Sequence, residues 1–198
     1  HPYFLCNTSL EQHVRHCPFF FYSPNEALHL SLREKTKAVE CFCNIEQELK
    51  HAIDCHSKVL ISRYIELLLD YCSRFYERQF DTRNGVNKDI IVRFEHLLNE
   101  YFEGDAPQNQ GLPSVKYFAD KVFLSVNYFS DMVRKQTGKT VSEYIQDKMI
   151  GLVKEQLLST DKTTSQIAYE IGFQYPQHLS RMFKRVVGMT PNKFRLQF

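Results

Sequence analysis

Two short segments in the second half of the chain carry hydrogen-bonding side chains on one helical face. In residues 125–138 and 176–188, apolar residues recur every three or four positions, which predicts one inward face for each helix. The opposite face carries Asn127, Ser130, Asp131 and Arg134 in the first segment, and Gln177, Ser180 and Arg181 in the second. Asparagine, glutamine and arginine can each form two hydrogen bonds to the edge of one nucleobase. The chemistry that these residue types predict is base recognition.

A second group of side chains lies beside the starts and edges of the same two helices. This group consists of Ser125, Tyr128, Gln174, His178, Lys184 and Arg185. Such positions suit contacts with phosphates, which set the position of a protein on DNA rather than the sequence that it selects. Gln177 and Arg181 are the first choices for base contacts. Asp131 would be repelled by phosphates unless it accepts from a cytosine amine, caps a helix or pairs with Lys135. For any residue of either group the alternative is a solvated surface position.

Both segments belong to a loose internal repeat. Phe118-Ala119, Val122 and Leu124 match Ile167-Ala168, Ile171 and Phe173 at an offset of 49, and Phe129, Met132, Val133 and Gly138 match Leu179, Met182, Phe183 and Gly188 at an offset of 50. Each unit combines a short helix containing a small alanine, a tight turn and a second amphipathic helix, a pattern typical of a helix-turn-helix module. Ser125 begins the second helix of the first module, and Gly172 allows the turn of the second. The predicted modules cover residues 114–138 and 163–188.

One helix is predicted between the two modules. Thr140 and Glu143 have the spacing of a capping box, and so do Thr163 and Gln166 at the start of the second module. The helix between them ends near Thr160, and about 18 residues at 1.5 Å each give a length of about 27 Å. Two recognition helices need a separation of about 34 Å to enter successive major grooves. This arrangement predicts a DNA-binding domain over residues 112–198.

The same region resembles the C-terminal signature of the AraC/XylS family. The matching residues are Leu157-Leu158, Ile167-Ala168, Glu170, Ile171-Gly172-Phe173, Arg181, Phe183-Lys184, Gly188, Thr190-Pro191 and Phe194-Arg195. The resemblance covers about 87 residues and implies a transcription regulator, with activation favoured over repression and RNA polymerase as a candidate partner. Val133 stands where the family often has an aromatic residue, and Met149 where it often has arginine. Both departures should affect packing more than contacts with DNA.

The basic residues are unevenly distributed. Residues 112–198 contain 13 Lys and Arg against 7 Asp and Glu, whereas residues 1–111 contain 12 against 16. We therefore expect only the basic part to bind a polyanion. No apolar run reaches the roughly 18 residues of a membrane span, and no secretory signal opens the sequence. With the family resemblance, this predicts a cytoplasmic bacterial protein without a membrane partner.

Residues 1–104 are expected to be mostly helical and to pair two subunits. A short strand or extended segment is predicted near Phe19–Tyr22, followed by helices over 31–55, 57–80 and 87–104, the last after a turn at Asn84-Gly85. The second helix is apolar on more than one face, so a partner subunit or a missing upstream domain must cover it. The candidate dimerisation residues are Leu60, Ile61, Tyr64, Leu67, Leu68 and Tyr71. Residues 105–111 combine Pro, Gly and amides, which predicts a linker.

This first part is more loosely similar to the helical end of the family's sensory domain. Family members place a β-barrel before such helices, so the resemblance implies a fragment that lacks most of its sensor; the opening His1 favours the same interpretation. The small-molecule effector is unknown. All six cysteines lie in this part, at spacings that fit neither a zinc site nor a disulfide framework. We expect no metal, no cofactor and no enzymatic activity. Two alternatives stay open: a dimerisation module with a vestigial DNA domain, and a repair methyltransferase fused to this DNA-binding fold.

Overall fold

A computed structural model describes residues 9–197, and all regular elements over that range are helices. The first six in chain order are α1 Ser9–Arg15, two 3₁₀ helices at Pro18–Phe21 and Pro24–Glu26, α2 Leu32–Lys50, α3 Ser57–Thr82 and α4 Asn84–Glu103. They are followed by α5 Ala106–Gln110, α6 Val115–Lys121, α7 Val126–Thr137, α8 Val141–Ser159, α9 Thr164–Ile171, α10 Pro176–Val187 and α11 Pro191–Gln197. The prediction of a mainly α fold is confirmed. The chain divides into two compact units between Asn87 and Lys88.

The predicted N-terminal strand is wrong. Pro18–Phe21 forms a 3₁₀ helix with Pro18 in its first turn, where the fixed φ of proline and its missing N–H favour a helical start. The Tyr22 N–H donates to the Phe19 carbonyl at 3.3 Å. Phe19 also stacks on Tyr76 of α3, with ring centroids 5.4 Å apart. The aromatic residues therefore pack on a helix instead of pairing in a sheet. Residues 1–8 lie outside the described part of the chain.

In the first unit, α2 and α3 pack together and are joined by an ion pair. Ser31 and Glu34 form a capping box at the start of α2. The Arg78 guanidinium donates to both carboxylate oxygens of Glu34 at 2.9 Å and to the His29 carbonyl at 2.6 Å. Three large apolar side chains of α2 are exposed, those of Val39, Phe42 and Leu49. Ile53, expected on the same helix, lies beyond its end at Lys50 and is exposed.

Helix α4 starts earlier than expected and contributes to the core of the second unit. Asn84-Gly85 forms its first residues instead of a turn, so Arg83 alone separates it from α3. Phe94 is fully buried and makes edge-to-face contacts with Phe118 and Phe129, at centroid distances of 5.1 and 5.3 Å. The core of the second unit therefore includes residues well before position 112, where the sequence placed its start.

Residues 105–111 are ordered and helical, which corrects the predicted linker. Pro107 lies in the first turn of α5 and is buried, and Gly111 follows the helix with φ of 78°. A proline near the start and a glycine just after the end are typical of a helix. Pro and Gly are also typical of linkers, which is why the sequence predicted one here. Local composition does not reveal that Pro107 is buried.

Candidate nucleic-acid interface

The first helix-turn-helix module consists of α6 and α7. Ser114 and Ser125 cap the two helices by accepting hydrogen bonds from the N–H groups of Tyr117 and Tyr128. Ala119, at 0% exposure, lies in the small-residue position that the sequence predicted. Gly138 ends α7 in the left-handed conformation, with φ of 74°. The first module therefore consists of two capped helices, with Ala119 buried in the first of them.

The second module consists of α9 and α10. Thr163 and Gln166 form the predicted capping box, and Gly172 and Gly188 follow the two helices with φ of 100° and 84°. Phe183 is fully buried and contacts Phe194 edge-to-face at 5.5 Å. Phe194 belongs to α11, a helix that the sequence pattern did not predict. The repeated apolar positions thus bury the same face of each second helix.

Helix α8 joins the modules as a single continuous helix of 19 residues. Thr140 and Glu143 form its capping box, and Arg195 donates to the carbonyls of Leu157 and Thr160 at its other end, at 2.8 and 3.2 Å. At 1.5 Å per residue the helix is about 28 Å long. Met149 in this helix and Val133 in α7 are both buried, so the two departures from the family pattern change packing.

The proposed base-reading residues of α10 lie on its solvent side. Gln177 and Arg181 are exposed and Ser180 is half-buried, while Leu179 between them is fully buried. In α7 the corresponding residues are less exposed to solvent. Asn127, Ser130 and Asp131 are half-buried, Arg134 is exposed, and the Ser130 hydroxyl donates to the Val126 carbonyl at 2.7 Å. The second module therefore offers more accessible hydrogen-bonding groups than the first.

Most of the residues expected to contact phosphates surround α10. Gln174, His178, Lys184 and Arg185 are all exposed. Arg185 donates to the Gln146 side chain of α8 at 3.2 Å, and His178, Arg181, Met182 and Arg185 line a surface groove of about 270 Å³. Ser125 is half-buried and uses its hydroxyl as the α7 cap.

Tyr128 does not fit its predicted role. Its side chain is only 3% exposed, beside the fully buried Phe129. The apolar face of α7 is wide enough to include position 128, and burial removes the ring from any phosphate. The prediction of a phosphate contact by this side chain is therefore wrong.

Charge distinguishes the two recognition helices. Residues 172–197 contain no Asp or Glu but include Arg181, Lys184, Arg185, Lys193 and Arg195. Arg195 is committed to the end of α8, and the other four are exposed. Helix α7, by contrast, carries Asp131 beside its basic residues. The field around α10 thus favours a polyanion more strongly than the field around α7.

Phe123 is an exposed residue of the interface region that the sequence reasoning did not single out. It occupies the turn between α6 and α7, is 75% exposed, and has φ of 60°. The guanidinium of Arg93 lies 5.6 Å above its ring. The sequence feature that could have identified Phe123 is its position in the repeat, which is equivalent to that of Gly172.

Only part of the predicted dimerisation group is accessible on α3. Leu60 and Leu67 are exposed, and Tyr64, Leu68 and Tyr71 are half-buried. Ile61 is buried within the first unit, so it is not available to a second subunit. The prediction that Ile61 contacts a second subunit was wrong, because the inward-facing apolar residues of α3 also pack inside the unit.

Five of the six cysteines lie among the residues that the structure describes. Cys17, Cys41, Cys43, Cys55 and Cys72 are free. Burial raises the pKa of Cys17, Cys41 and Cys72, which disfavours the thiolate that alkyl transfer needs. Over residues 9–197 there is no group of three His, Cys, Asp or Glu that could hold a metal ion, and none of the helices is long and apolar enough to cross a membrane. Cys6 lies outside the described range.

Comparisons with known proteins agree with this arrangement. The helix-turn-helix domain family matches residues 118–197. The chain is 30% identical over 134 residues to the transposon Tn10 TetD protein of Escherichia coli, a match covering 68% of this chain and 88% of TetD. It is also 30% identical over 109 residues to the regulatory protein SoxS of Salmonella typhimurium, covering 55% of this chain and 95% of SoxS.

A longer relative shows how much sequence can accompany such a region. The uncharacterized HTH-type transcriptional regulator YtdP of Bacillus subtilis is 26% identical over 110 residues, which cover 56% of this chain but only 13% of YtdP. The matched length is therefore a small part of some relatives and nearly all of others. From the matches to TetD and SoxS, and from the two modules on one connecting helix, it follows that the chain belongs to the AraC/XylS family of helix-turn-helix transcription regulators.

Proposed function

We propose that residues 88–198 bind double-stranded DNA sequence-specifically, with α7 and α10 in successive major grooves, and that the protein acts as a transcription activator. The observation that carries this proposal is the exposed face of α10, where Gln177, Arg181 and Lys184 lie in a stretch without acidic residues. Counterion release by such basic residues drives association with DNA, and side chains in the groove select the sequence.

The residues have separate roles in this proposal. Gln177 and Arg181 contact base edges from the second module, with Ser180 beside them. Asn127, Ser130, Asp131 and Arg134 form a more constrained base-reading group in the first module. Ser125, Gln174, His178, Lys184 and Arg185 contact the phosphate backbone. Because residues 172–197 contain no Asp or Glu and the polar groups of α10 are more exposed, the second module contributes more of the sequence discrimination.

The test is DNA binding by the full chain with a variant of the central arginine. The probe is a duplex that the wild-type chain enriches from a random library. Arg181→Ala should weaken binding by about 1–3 kcal/mol and relax the preference at one base pair. Arg33→Ala is the matched control, since Arg33 is an exposed arginine on α2. Equal binding by wild type and Arg181→Ala would refute the assigned role.

We also propose that the exposed apolar residues of α2 and α3 pair two copies of the chain. Val39, Phe42 and Leu49 on α2, with Leu60 and Leu67 on α3, leave large apolar side chains in water. Covering them is favourable by roughly 25 cal/mol per Å². Sedimentation equilibrium should detect a dimer that Leu67→Lys weakens, whereas Leu196→Lys on α11 leaves it unchanged. A wild-type monomer at high concentration would favour the alternative that an upstream domain covers these helices.

The remaining features follow from family membership and are proposed with the function. A regulator of this kind works in the cytoplasm, and activation requires a productive contact with RNA polymerase. Transcription in vitro from a promoter containing the selected duplex tests both the sign of regulation and the polymerase contact. A decrease in transcript would make the protein a repressor. A vestigial DNA domain is the opposing hypothesis, and salt-sensitive binding to the selected duplex would eliminate it.

A further inference from the structure

Residues 101–111, which we call the strap, contact both helix-turn-helix modules. At one end of the strap, Tyr101 is 4% exposed and packs edge-to-face on Tyr117 and Phe118 of α6, at centroid distances of 5.2 and 6.3 Å. At the other end, Gly111 and Pro107 lie against Gly172 in the turn of the second module. The strap therefore touches the first module and the second without passing through α8.

A partly buried hydrogen bond joins the two ends of the strap. The Tyr101 hydroxyl donates to the Gly111 carbonyl at 2.8 Å, and the Gly111 N–H donates to the Pro107 carbonyl at 2.9 Å. Burial raises the pKa of Tyr101, so the hydroxyl keeps the proton that it donates. The ring that packs on the first module is thus joined to the backbone that packs on the second.

The contact with the second module is a close approach of two backbones. A Cβ at Gly172 would lie 2.8 Å from the carbonyl carbon and oxygen of Gly111 and 2.8 Å from the carbonyl oxygen of Pro107. Side chains essentially never approach backbone atoms so closely, and backbone has little freedom to move aside. Glycine at 172 is therefore required by the strap as well as by the φ of 100° at the turn.

We propose that the strap fixes the position of the second recognition helix relative to the first, and thereby sets the half-site spacing that the protein accepts. This inference rests on the proposed function, because it concerns how the two modules share one DNA site. Long helices are rarely straight, so α8 by itself would leave some freedom in the angle between the two modules. A second connection through Tyr101, Gly111 and Gly172 closes a loop of contacts and removes that freedom. One base pair changes the separation by about 3.4 Å and the rotation by about 35°.

Two pairs of variants in the full chain separate the strap from general stability. Gly172→Ala places a methyl group against the strap. Gly188→Ala is its control, since Gly188 has a similar φ of 84° but no atom within 4 Å of a Cβ. Tyr101→Phe removes the hydrogen bond to Gly111. Its control is Tyr117→Phe, which removes the hydroxyl of the neighbouring ring and leaves that hydrogen bond in place. Each is measured on the duplex selected by the wild-type chain and on versions with one base pair inserted or removed between the two footprints.

The wild-type chain should lose about tenfold in affinity when the spacing changes by one base pair, a loss typical of one mismatched position. Gly172→Ala should lose less than about threefold, and Tyr101→Phe should change in the same direction to a smaller extent. Gly188→Ala and Tyr117→Phe should keep the wild-type ratio. If Gly172→Ala does not fold, the comparison of Tyr101→Phe with Tyr117→Phe decides whether the strap sets the spacing.

Two results would refute the role proposed for the strap, and a third would refute the proposed function as well. Folded strap variants that keep the full spacing preference refute it, and so does an equal loss of preference in strap and control variants. Failure of the wild-type chain to enrich any duplex would instead refute the proposed function and the role of the strap together.

Discussion

Phe123 and Gly172 occupy equivalent positions in the turns of the two modules, and both have positive φ, at 60° and 100°. Their N–H groups donate to the carbonyls of Asp120 and Tyr169 at 3.2 and 3.1 Å, so the turns have the same hydrogen-bond pattern. Glycine adopts this conformation freely, whereas a side chain pays about 1–2 kcal/mol. The first module therefore has a strained turn and the second does not.

Replacing Phe123 by glycine should relieve that strain. The informative comparison is with Phe123→Ala, which also lacks the ring over which Arg93 lies but keeps a Cβ. We expect Phe123→Gly to exceed Phe123→Ala by about 1 kcal/mol in free energy of unfolding. Urea unfolding followed by circular dichroism measures the difference. A Phe123→Ala variant at least as stable as Phe123→Gly would show that the turn is unstrained.

Arg195 should stabilise the second unit without contacting DNA bases. Its two hydrogen bonds satisfy the carbonyls of Leu157 and Thr160 at the end of α8. Arg195→Gln should reduce the free energy of unfolding by about 1–3 kcal/mol, because hydrogen bonds from charged groups are lost. Lys193→Gln on the same helix is exposed and should have little effect. Similar losses in both variants would contradict this role.

The helix ends and the repeat could be predicted from the sequence because they depend on local chemistry. Thr140 with Glu143, and Thr163 with Gln166, cap their helices as their spacing indicates. The role of residues 105–111 could not, because Gly111 meets Gly172 across 61 positions of sequence. Tyr128 illustrates another limit. Helical periodicity gives the direction of the apolar face but not its width, so a residue at the margin can be buried.

The hydrogen bond from Tyr144 of α8 to Glu95 of α4 predicts a pH dependence at high pH. This bond, with burial, raises the pKa of Tyr144 to about 12, above the ordinary value of 10.0. A folded-state pKa above the unfolded one means that the stabilisation is complete below pH 10 and is lost as the pH rises towards about 12.

Tyr144→Phe should therefore be less stable than wild type by about 1–2 kcal/mol at neutral pH, with the difference shrinking across that window. Tyr169→Phe, an exposed tyrosine on α9, serves as the control. Urea unfolding at several pH values tests this. A difference that stays constant through the window would contradict the assignment.

Lys184 should contribute to DNA affinity without contributing to sequence preference. A phosphate contact releases about one counterion, so Lys184→Gln should lower the slope of log affinity against log salt by about 1. The loss should be the same for selected and unselected duplexes. Anisotropy titrations at several salt concentrations measure both quantities, with Lys35→Gln on α2 as an exposed control. A loss confined to the selected duplex would instead make Lys184 a base-reading residue.

Selection of duplex DNA by the intact chain, followed by sequencing and footprinting, tests the central claim most directly. We predict enrichment of a site with two protected segments about one helical turn apart, bound more weakly as salt rises, with the stronger base preference under the second module. Recovery of no enriched sequence, together with no salt-sensitive binding to any duplex, would contradict the assignment of α7 and α10 as DNA-reading helices.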